Sequence, residues 1–324
     1  GKKIRAIDDA SMYMHKFTVG RTWKLVLETL DHLIVLARTW LSAVSHDRQV
    51  SITYPDGSIK SGTLHVSWSL KEVLTLYGRL LDLKSAYKQL ASRPEHAFAA
   101  VIAMLNEVGD EVFFVARTLL FGETAAVYNF SRISKLIDTI ASRLGWLLTT
   151  CYYDDFPCLE CEPLAASAER TFKDFLAVVG IRVSSDVEKD RPFGPVFEPL
   201  GVLVDLTKSR EGMIVVQPKP SRKENIIASI VDTIAKGAMR GSEAASLAQK
   251  VRFLREAHFG RCGARPLREL AMHSSSHRMA PISDSLKLSL KWLFDYLARA
   301  RPREVRTDLT TSPLVFLRTG RMRS

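Results

Sequence analysis

Apolar residues recur at intervals of three and four in several stretches of the chain, which predicts amphipathic helices. Four such stretches cover residues 23–44, 122–144, 162–179 and 242–260. An Ala-rich apolar segment that opens at Pro94 and runs to Leu105 is also expected to be helical. Because a helix of this kind must bury its apolar face, we expect these helices to pack on a sheet or on one another.

Shorter apolar runs that lie between turn residues predict strands. Residues 50–53 and 63–66 flank the turn Tyr54-Pro55-Asp56-Gly57, and this arrangement predicts a hairpin. Further strands are predicted at 112–115, 181–183, 196–206 and 213–216. The combination indicates an α+β fold in which helices cover an antiparallel sheet.

Acidic residues end two of the apolar runs. Asp154 and Asp155 follow the run 144–153, and Asp82 follows a shorter one. Charge in such a place is costly unless a cation neutralises it, and carboxylate oxygens are ligands that Mg²⁺ prefers. We therefore expect a strand to deliver Asp82 beside Asp154 and Asp155, so that these carboxylates bind two metal ions. The competing interpretation is a solvated Asp-Asp turn between two strands.

The formal net charge of +11 is distributed unevenly along the chain. Residues 1–217 carry 25 Lys or Arg and 26 Asp or Glu, whereas residues 218–324 carry 21 and 9. The first part therefore has a net charge of −1 and the second a net charge of +12. A segment this basic is typical of proteins that bind nucleic acid or another anionic surface. A solvated basic face without a partner is the alternative.

The helix predicted from Ser242 combines an apolar stripe with a basic side. Leu247, Val251 and Leu254 form the stripe, and the cations on or just beyond the helix are Lys250, Arg252, Arg255 and Arg261. Such a helix can hold the backbone of a nucleic-acid duplex without reading its sequence. Three further cations extend the predicted surface, namely Lys219, Arg222 and Lys223.

The four cysteines do not complete a zinc site. Cys158-Leu159-Glu160-Cys161 has the spacing of zinc ligands, but no second Cys or His pair follows at a suitable distance. We expect free thiols in a reducing compartment, hence an intracellular protein of the cytoplasm or nucleus. No apolar run is long enough to span a bilayer, and the first residues lack the apolar region of a signal peptide. No membrane partner is expected.

Several segments, taken in order, resemble the motifs of reverse transcriptases. Asp82-Leu83-Lys84-Ser85-Ala86-Tyr87 is similar to motif A, Leu120-Phe121-Gly122 to motif B, and Tyr152-Tyr153-Asp154-Asp155 to the Tyr-x-Asp-Asp of motif C. Phe197-Glu198-Pro199-Leu200-Gly201 resembles the primer grip, and Lys189 falls where motif D carries a lysine. The segment from Arg5 to Asp9 resembles part of the fingers. Residues 241–247 and 259–261 resemble the thumb and connection of DIRS-like and pararetroviral retroelements.

The resemblance implies a right-hand polymerase with an antiparallel-sheet palm backed by helices, partial fingers and a helical, basic thumb or connection. We expect N-terminally incomplete fingers and an insertion in residues 1–78, and the palm in 79–217. The thumb or connection is expected in 218–300, and the remnant of a first ribonuclease H strand in 301–324. The chain lacks an initiator Met, so we expect that it either begins inside something larger or was processed, with other domains of a retroelement polyprotein as candidate partners.

The resemblance also implies roles for individual residues. Asp82, Asp154 and Asp155 would bind two Mg²⁺ ions, with Mn²⁺ as a substitute and Asp155 contributing least directly. Lys189 would protonate the pyrophosphate leaving group. The dNTP would contact Arg5, the aromatic ring of Tyr87 that rejects a ribose 2′-hydroxyl, and Phe121 and Gly122. The backbone carbonyl of Leu83 would be a further metal ligand, and Leu200 and Gly201 would contact the primer.

The sequence departs from the family pattern at several positions. Leu120 stands where motif B most often has Pro, and Glu123 adds an acidic group near the predicted nucleotide site. In the stretch 313–320, Gly320 occupies the place of the metal-binding Asp of a ribonuclease H strand, so we expect no ribonuclease H activity.

The function that these features predict is RNA-directed DNA polymerisation, with an RNA or DNA template, a primer and dNTPs as partners. The alternative is a degenerate copy that keeps the fold and binds nucleic acid but no longer polymerises.

Overall fold

The protein is described by a computed structural model that covers residues 25–54, 56–120, 122–186, 190–256, 263–276 and 278–307. Within these ranges the chain forms a mixed α and β structure whose sheets are antiparallel. This confirms the predicted combination of helices with antiparallel strands. The buried apolar side chains of the described residues fall into three groups, two around sheets and one among helices.

The first described helix, α1 (Leu30–Ala43), begins later than the apolar pattern predicted. Thr29 keeps an extended backbone, and its N–H donates to Nδ1 of His32 at 3.0 Å, which caps the helix start. Val26 is exposed, so the apolar residues before Thr29 do not continue the helix face. The predicted helix at 23–44 is therefore correct at its C-terminal end and too long at its N-terminal end.

A hairpin follows α1, as predicted. Strand β1 (Gln49–Thr53) pairs with β2 (Ile59–Thr63), and Gly57 adopts a left-handed φ of 84° in the turn between them. The second strand begins four residues earlier than the predicted 63–66, because the N–H of Tyr54 donates to the carbonyl of Ser58 and closes a shorter loop.

The central sheet consists of β3 (Leu76–Asp82), β7 (Asp155–Cys161) and β6 (Leu148–Thr149), in the order β3-β7-β6. A short helix, α2 (Leu70–Leu74), leads into β3. Two long helices, α3 (Thr124–Arg143) and α4 (Ala165–Val178), share a buried apolar core with the sheet. Both helices lie where the periodicity predicted them. Apolar side chains of the sheet and of both helices pack together in this core, among them Leu81, Phe130, Phe156, Phe172 and Leu176.

A second hairpin, β4 (Val101–Leu105) with β5 (Glu111–Val115), stands between β3 and α3 in the chain. The prediction of a helix up to Leu105 is wrong. Only a short 3₁₀ segment, Pro94–Ala99, is observed before the strand. The Asn106–Asp110 turn, with Gly109 at φ 94°, folds 101–105 back onto 111–115, and pairing with that strand outweighs the local helical composition.

The second sheet has the order β13-β10-β9-β8, formed by Arg303–Arg306, Met213–Pro218, Val202–Asp205 and Val196–Phe197. The stretch 196–206 was predicted as one strand, but it folds into the tight β8–β9 hairpin. Leu200 and Gly201 have positive φ values of 51° and 73°, and Pro199 has no N–H to donate to a ladder. Helix α1 packs on this sheet through Leu33, Ile34 and other buried residues.

Four helices form the C-terminal bundle: α5 (Pro220–Lys236), α6 (Gly241–Glu256), α7 (Ala264–His273) and α8 (Asp284–Arg299). Short strands β11 (Ala238–Arg240) and β12 (Met279–Pro281) pair between them. The bundle has its own apolar core, which includes Ile230, Leu247, Leu270 and Leu290. After the bundle, strand β13 returns to pair with β10 of the second sheet.

The predicted ribonuclease H-like stretch, 313–320, lies outside the described residues. Among the residues that are described, no helix combines the length and apolar character needed to cross a bilayer.

Candidate active site

The antiparallel pairing of β3 with β7 brings together two of the acidic residues singled out in the sequence. Asp82, the last residue of β3, lies directly opposite Asp155, the first residue of β7. The N–H of Leu83 donates to the carbonyl of Asp154 at 3.3 Å, so the pairing continues past the strand ends. The prediction that a strand delivers Asp82 beside Asp154 and Asp155 is therefore confirmed by the backbone register.

Tyr152–Asp155 forms a closed hairpin turn, called the Asp-Asp turn below. The N–H of Tyr152 donates to the carbonyl of Asp155 at 2.9 Å, and the N–H of Asp155 donates back at 3.1 Å. Tyr153 adopts a left-handed φ of 55°, which is uncommon for a bulky residue. Backbone strain of this kind costs about 1–3 kcal/mol and tends to occur at functional sites. Burial, followed by the neighbouring Tyr128, raises the pKa of Tyr153.

The three carboxylates differ in their exposure to solvent. Asp82 is only 8% exposed, whereas Asp154 and Asp155 are partly exposed. A buried carboxylate needs a positively charged or hydrogen-bonding partner. A set of donors made only of carboxylate oxygens, part buried and part open, fits a hard divalent cation such as Mg²⁺. The types of donor present therefore suit a divalent cation. Among the described residues, however, the ligand atoms that all lie within 4.8 Å of one another belong to Glu28, Asp138 and Cys151 and not to these three carboxylates, so their role as ligands remains a prediction.

Tyr87 follows the end of β3 in the chain. It belongs to a short 3₁₀ helix, Ala86–Gln89, which Ser85 enters with a left-handed φ of 55°. The ring is 7% exposed and stacks on Phe130 of α3, with 4.5 Å between the ring centroids. Burial, with a further contribution from the negative charge of Asp154, raises the pKa of Tyr87 to about 12. The phenol is therefore neutral at physiological pH and lies within electrostatic reach of Asp154.

The segment 181–184 borders the end of β3 on its other side. The predicted strand 181–183 is reduced to a single bridge between Leu83 and Val183. The hydrogen bonds around it run from Lys84 N–H to the Arg182 carbonyl at 2.9 Å and from Ser184 N–H to the Asp82 carbonyl at 2.8 Å. The backbone carbonyl of Leu83, a predicted metal ligand, is thus left out of this pairing.

Gly122 precedes α3 with a left-handed φ of 106°, a conformation that favours glycine. The sequence interpretation of a glycine turn leading into the helix is confirmed. Helix α3 then carries Phe130 to its stacking contact with Tyr87. Helix α3 thus connects Gly122 at its start with Tyr87 near the acidic site. Contact of Gly122 with a nucleotide stays a prediction.

The predicted primer-contacting residues also come together. A side chain added at Gly201 would collide with the guanidinium of Arg222, so Arg222 lies directly over this glycine. Lys219 pairs with Glu198 at 2.9 Å, just before the β8–β9 turn that contains Leu200. Lys223 follows in the first turns of α5 and is partly exposed. The β8–β9 turn and the start of α5 therefore form one basic corner.

Lys250 and Arg252 are exposed on α6, while Val251 and Leu254 of the same helix are buried. This confirms the predicted division of the helix into an apolar face and a basic side. Several of the predicted site residues or their side chains lie outside what the structure describes: Arg5, Phe121, Lys189, Arg255 and Arg261.

The sequence interpretation missed a polar cluster next to the Asp-Asp turn. Glu28 Oε2 accepts a hydrogen bond from the N–H of Cys151 at 2.9 Å, and Glu28 Oε1 pairs with the ammonium of Lys135 on α3. Lys135 also lies 4.0 Å from Asp138 Oδ2, one turn further along the helix. The available signal was the i,i+3 pair Lys135 and Asp138 in the amphipathic pattern of 122–144, which also carries Glu123, Arg132 and Arg143.

The titration of this cluster reflects its burial. Burial, assisted by the charge of Glu28 and opposed by Lys135, raises the pKa of Asp138 to about 7. Burial and the charge of Asp138 likewise raise the pKa of Cys151 to about 12. For Lys135, burial alone would lower the pKa, but the hydrogen bond to Glu28 and the nearby negative charges outweigh it, and the pKa is raised. The cluster therefore contains a charged lysine and a neutral thiol.

A second polar network holds β3 to α4. Arg79, three residues before Asp82, is only 2% exposed and pairs with Glu169 at 2.5 Å and with Asp190. Lys173 contacts the same two carboxylates at 3.0 and 3.1 Å. Two cations and two anions thus balance one another beside the strand that carries Asp82.

No family model matches the sequence, and no curated protein matches it. Among solved structures, the chain is similar to a foamy viral protease-reverse transcriptase dRH in complex with double-stranded DNA. The alignment covers 78% of this chain and 43% of that one, with 14% sequence identity and a TM-score of 0.48. The chain thus spans less than half the length of that protein, and a similarity at this level carries no argument about function.

Proposed function

We propose that the chain is a template-directed nucleotidyltransferase that extends a primer on an RNA template, an RNA-directed DNA polymerase of the retroelement type. The observation that carries the proposal is the register of β3 and β7, which places Asp82 opposite Asp155 and beside the Asp-Asp turn. Two strand ends, joined by backbone hydrogen bonds, form a more rigid platform for carboxylates than a loop does.

The acidic site would hold two Mg²⁺ ions through Asp82, Asp154 and Asp155, with the carbonyl of Leu83 as a further ligand and Mn²⁺ as a substitute. The metal ions would supply activation of the primer 3′-hydroxyl and neutralisation of the charge on the departing pyrophosphate. The protein itself would contribute by positioning the metal ligands. Strand β3 fixes Asp82 in a buried environment, and the strained Asp-Asp turn fixes Asp154.

Tyr87 would form the wall of the nucleotide site. Its ring is buried and stacks on Phe130, so it cannot move aside without breaking the stack on α3. A rigid ring at that position can exclude a ribose 2′-hydroxyl by steric contact. Three further residues would complete the proposed site. Lys189 would donate a proton to pyrophosphate, and Arg5 and Phe121 would contact the nucleotide.

The basic corner at Gly201 and Arg222 and the exposed cations of α6 would bind the primer and template through phosphate contacts. Contacts of this kind are insensitive to sequence and weaken with salt. Lys219, Lys223, Lys250 and Arg252 are described with exposed or partly exposed side chains, as such contacts require.

The test is primer extension on an RNA template with dNTPs and Mg²⁺, comparing the wild type with Asp154→Asn. The variant removes a charge but little volume, and we expect a loss of at least roughly 10³-fold, since electrostatic stabilisation by a metal is worth several kcal/mol. Asp174→Asn is the matched control, because Asp174 is an exposed carboxylate on α4 and its variant should extend the primer normally.

Equal extension by the wild type and Asp154→Asn, or none by either, would contradict the proposal. If neither protein extends the primer but both bind a primer–template duplex, the chain is a degenerate copy that binds nucleic acid without polymerising.

A further inference from the structure

One carboxylate joins three parts of the fold next to the Asp-Asp turn. Glu28 lies just before α1, Lys135 lies in the middle of α3, and Cys151 immediately precedes Tyr152. Glu28 contacts both of the others, with one oxygen on the Lys135 ammonium and the other on the Cys151 N–H. The side chain is partly buried, 19% exposed, so water competes only weakly for these contacts.

The direction of the Cys151 N–H explains why it needs such a partner. Strand β6 lies at the edge of the central sheet, and the N–H groups of Thr150 and Tyr152 point to β7, where they donate to the carbonyls of Pro157 and Asp155. In an antiparallel pair the N–H of the intervening residue points away from that partner strand. Cys151 is only 4% exposed, so its N–H would be buried and unsatisfied without Glu28.

The cluster has a composition that also suits a metal ion, but its geometry favours the lysine. Glu28, Asp138 and Cys151 offer ligand atoms within 4.8 Å of one another. Asp138 is 8% exposed, and none of the described residues forms a hydrogen bond with its Oδ1. However, the Lys135 ammonium already provides the positive charge between Glu28 and Asp138, and the raised pKa of Cys151 keeps its thiol protonated. A divalent cation would have to displace the lysine and deprotonate the thiol.

We propose that Glu28 is a positioning residue for the Asp-Asp turn. It anchors the turn to α3 because its carboxylate bridges the Cys151 N–H and the Lys135 ammonium. The effect of Glu28 on catalysis rests on the proposed function. The anchoring of the turn rests on the contacts alone. Because α3 also carries Phe130 under Tyr87, the anchor would fix the turn relative to the ring that forms the wall of the nucleotide site.

The experiment compares Glu28→Ala and Glu28→Gln with the wild type. The alanine variant removes both contacts, whereas the glutamine variant keeps an oxygen for the Cys151 N–H and weakens only the pairing with Lys135. Three quantities are measured: hydrogen exchange of the Cys151 amide, affinity for Mn²⁺, and kcat and KM for dNTP in primer extension. Residues that orient metal ligands typically contribute 10- to 100-fold to metal affinity or activity.

For Glu28→Ala we expect Cys151 amide exchange to be faster by at least about tenfold, Mn²⁺ affinity and kcat to be lower by about 10-fold, and KM to change little. Glu28→Gln should fall between it and the wild type. Glu28→Gln combined with Lys135→Met should recover part of the loss, because it removes the ammonium left without its anion. If the alanine variant does not fold, the glutamine variant and the double variant decide.

Asp232→Asn is the control, since Asp232 is a carboxylate that pairs with a lysine, Lys236, at 2.7 Å in the C-terminal bundle, away from the turn. It should leave Cys151 exchange, Mn²⁺ affinity and kcat unchanged. Variants of Glu28 and Asp232 that alter these quantities equally would overturn the proposal. So would stoichiometric Zn²⁺ binding by the wild type that is lost in Cys151→Ser, which would assign the cluster to a metal.

A wild type that extends no primer would contradict the proposed function alone. The exchange rate of the Cys151 amide would still decide whether Glu28 anchors the turn, because that measurement requires neither substrate nor metal.

Discussion

The central sheet and the C-terminal bundle place their charged side chains in different environments. Among the described residues, the buried charged side chains are Arg79, Asp82, Asp138 and Glu160, and all belong to the central sheet or to α3. In the bundle the buried polar residues are the hydroxyls Thr233 and Ser289, and the core is otherwise apolar. The net positive charge of the chain arises after residue 217, and the described Lys and Arg residues there lie largely on the outside of helices.

This difference indicates two ways in which charge can act. A buried charge acts through its distance from a few partners, since the low dielectric strengthens each interaction and a lost partner is not replaced by water. An exposed charge acts through the sum of many charges and is screened within about 10 Å at 0.1 M salt. We therefore expect the effect of replacing a charged residue in the central sheet to depend strongly on its position. Replacing one exposed charged residue in the bundle should have a small effect, similar from one position to the next.

The largest expected effect concerns the ion pairs of Arg79. Arg79→Met should lower the free energy of unfolding by roughly 3 kcal/mol, because Glu169 and Asp190 lose their buried partner and keep only the partly exposed Lys173. The measurement is urea unfolding at neutral pH. The control in the bundle is Lys236→Met, which breaks an exposed pair with Asp232 at 2.7 Å and should leave the unfolding midpoint nearly unchanged. Equal destabilisation by the two variants would remove the distinction between the regions.

An intermediate effect is expected from Asp138 and depends on pH. Burial raises its pKa from 3.8 to about 7, so the folded protein retains a proton that the unfolded chain releases above about pH 4. The stability contributed by the neutral carboxyl is full below about pH 4 and is lost as the pH rises to about 7. The charged groups that face it are Glu28 and Lys135, with the Cys151 thiol beside them.

Asp138→Asn, which stays neutral, should remove this dependence. Between pH 5 and pH 8 the wild type should lose roughly 2 kcal/mol of unfolding free energy relative to the variant. Parallel stability curves for the two proteins over this range would show that Asp138 titrates normally and is not shielded from water.

The smallest effect is expected in the bundle. Lys250→Ala and Arg252→Ala should each weaken binding of a primer–template duplex by a few-fold, and each should reduce the slope of log affinity against log salt by about 1. Gln249→Ala, on the same helix and also exposed, is the neutral control. A salt dependence that is unchanged in the double variant would exclude this side of α6 from the nucleic-acid contact.

The sequence was sufficient for features that depend on neighbouring residues. The periodicity of 122–144 and 162–179 predicted α3 and α4, because an amphipathic helix records its buried face in local spacing. The acidic residues at the ends of apolar runs indicated the candidate site, and the excess of basic residues after 217 indicated the character of the bundle. The helix periodicity and the acidic ends of apolar runs are each visible within a window of about twenty residues, and the basic excess follows from counting charges along the chain.

Features that depend on distant pairing were decided by the tertiary structure. Strand β4 formed where a helix was predicted, because β5 supplies its hydrogen bonds, and the stretch 196–206 broke into a hairpin at Gly201. The roles of Glu28 and Lys135 depend on a contact across 107 positions of the chain. Local propensity is a weak preference that long-range hydrogen bonds and burial readily override. The sequence by itself therefore determined which residues could form a site, and only the fold determined that Asp82 meets Asp155 and that Glu28 lies beside the turn.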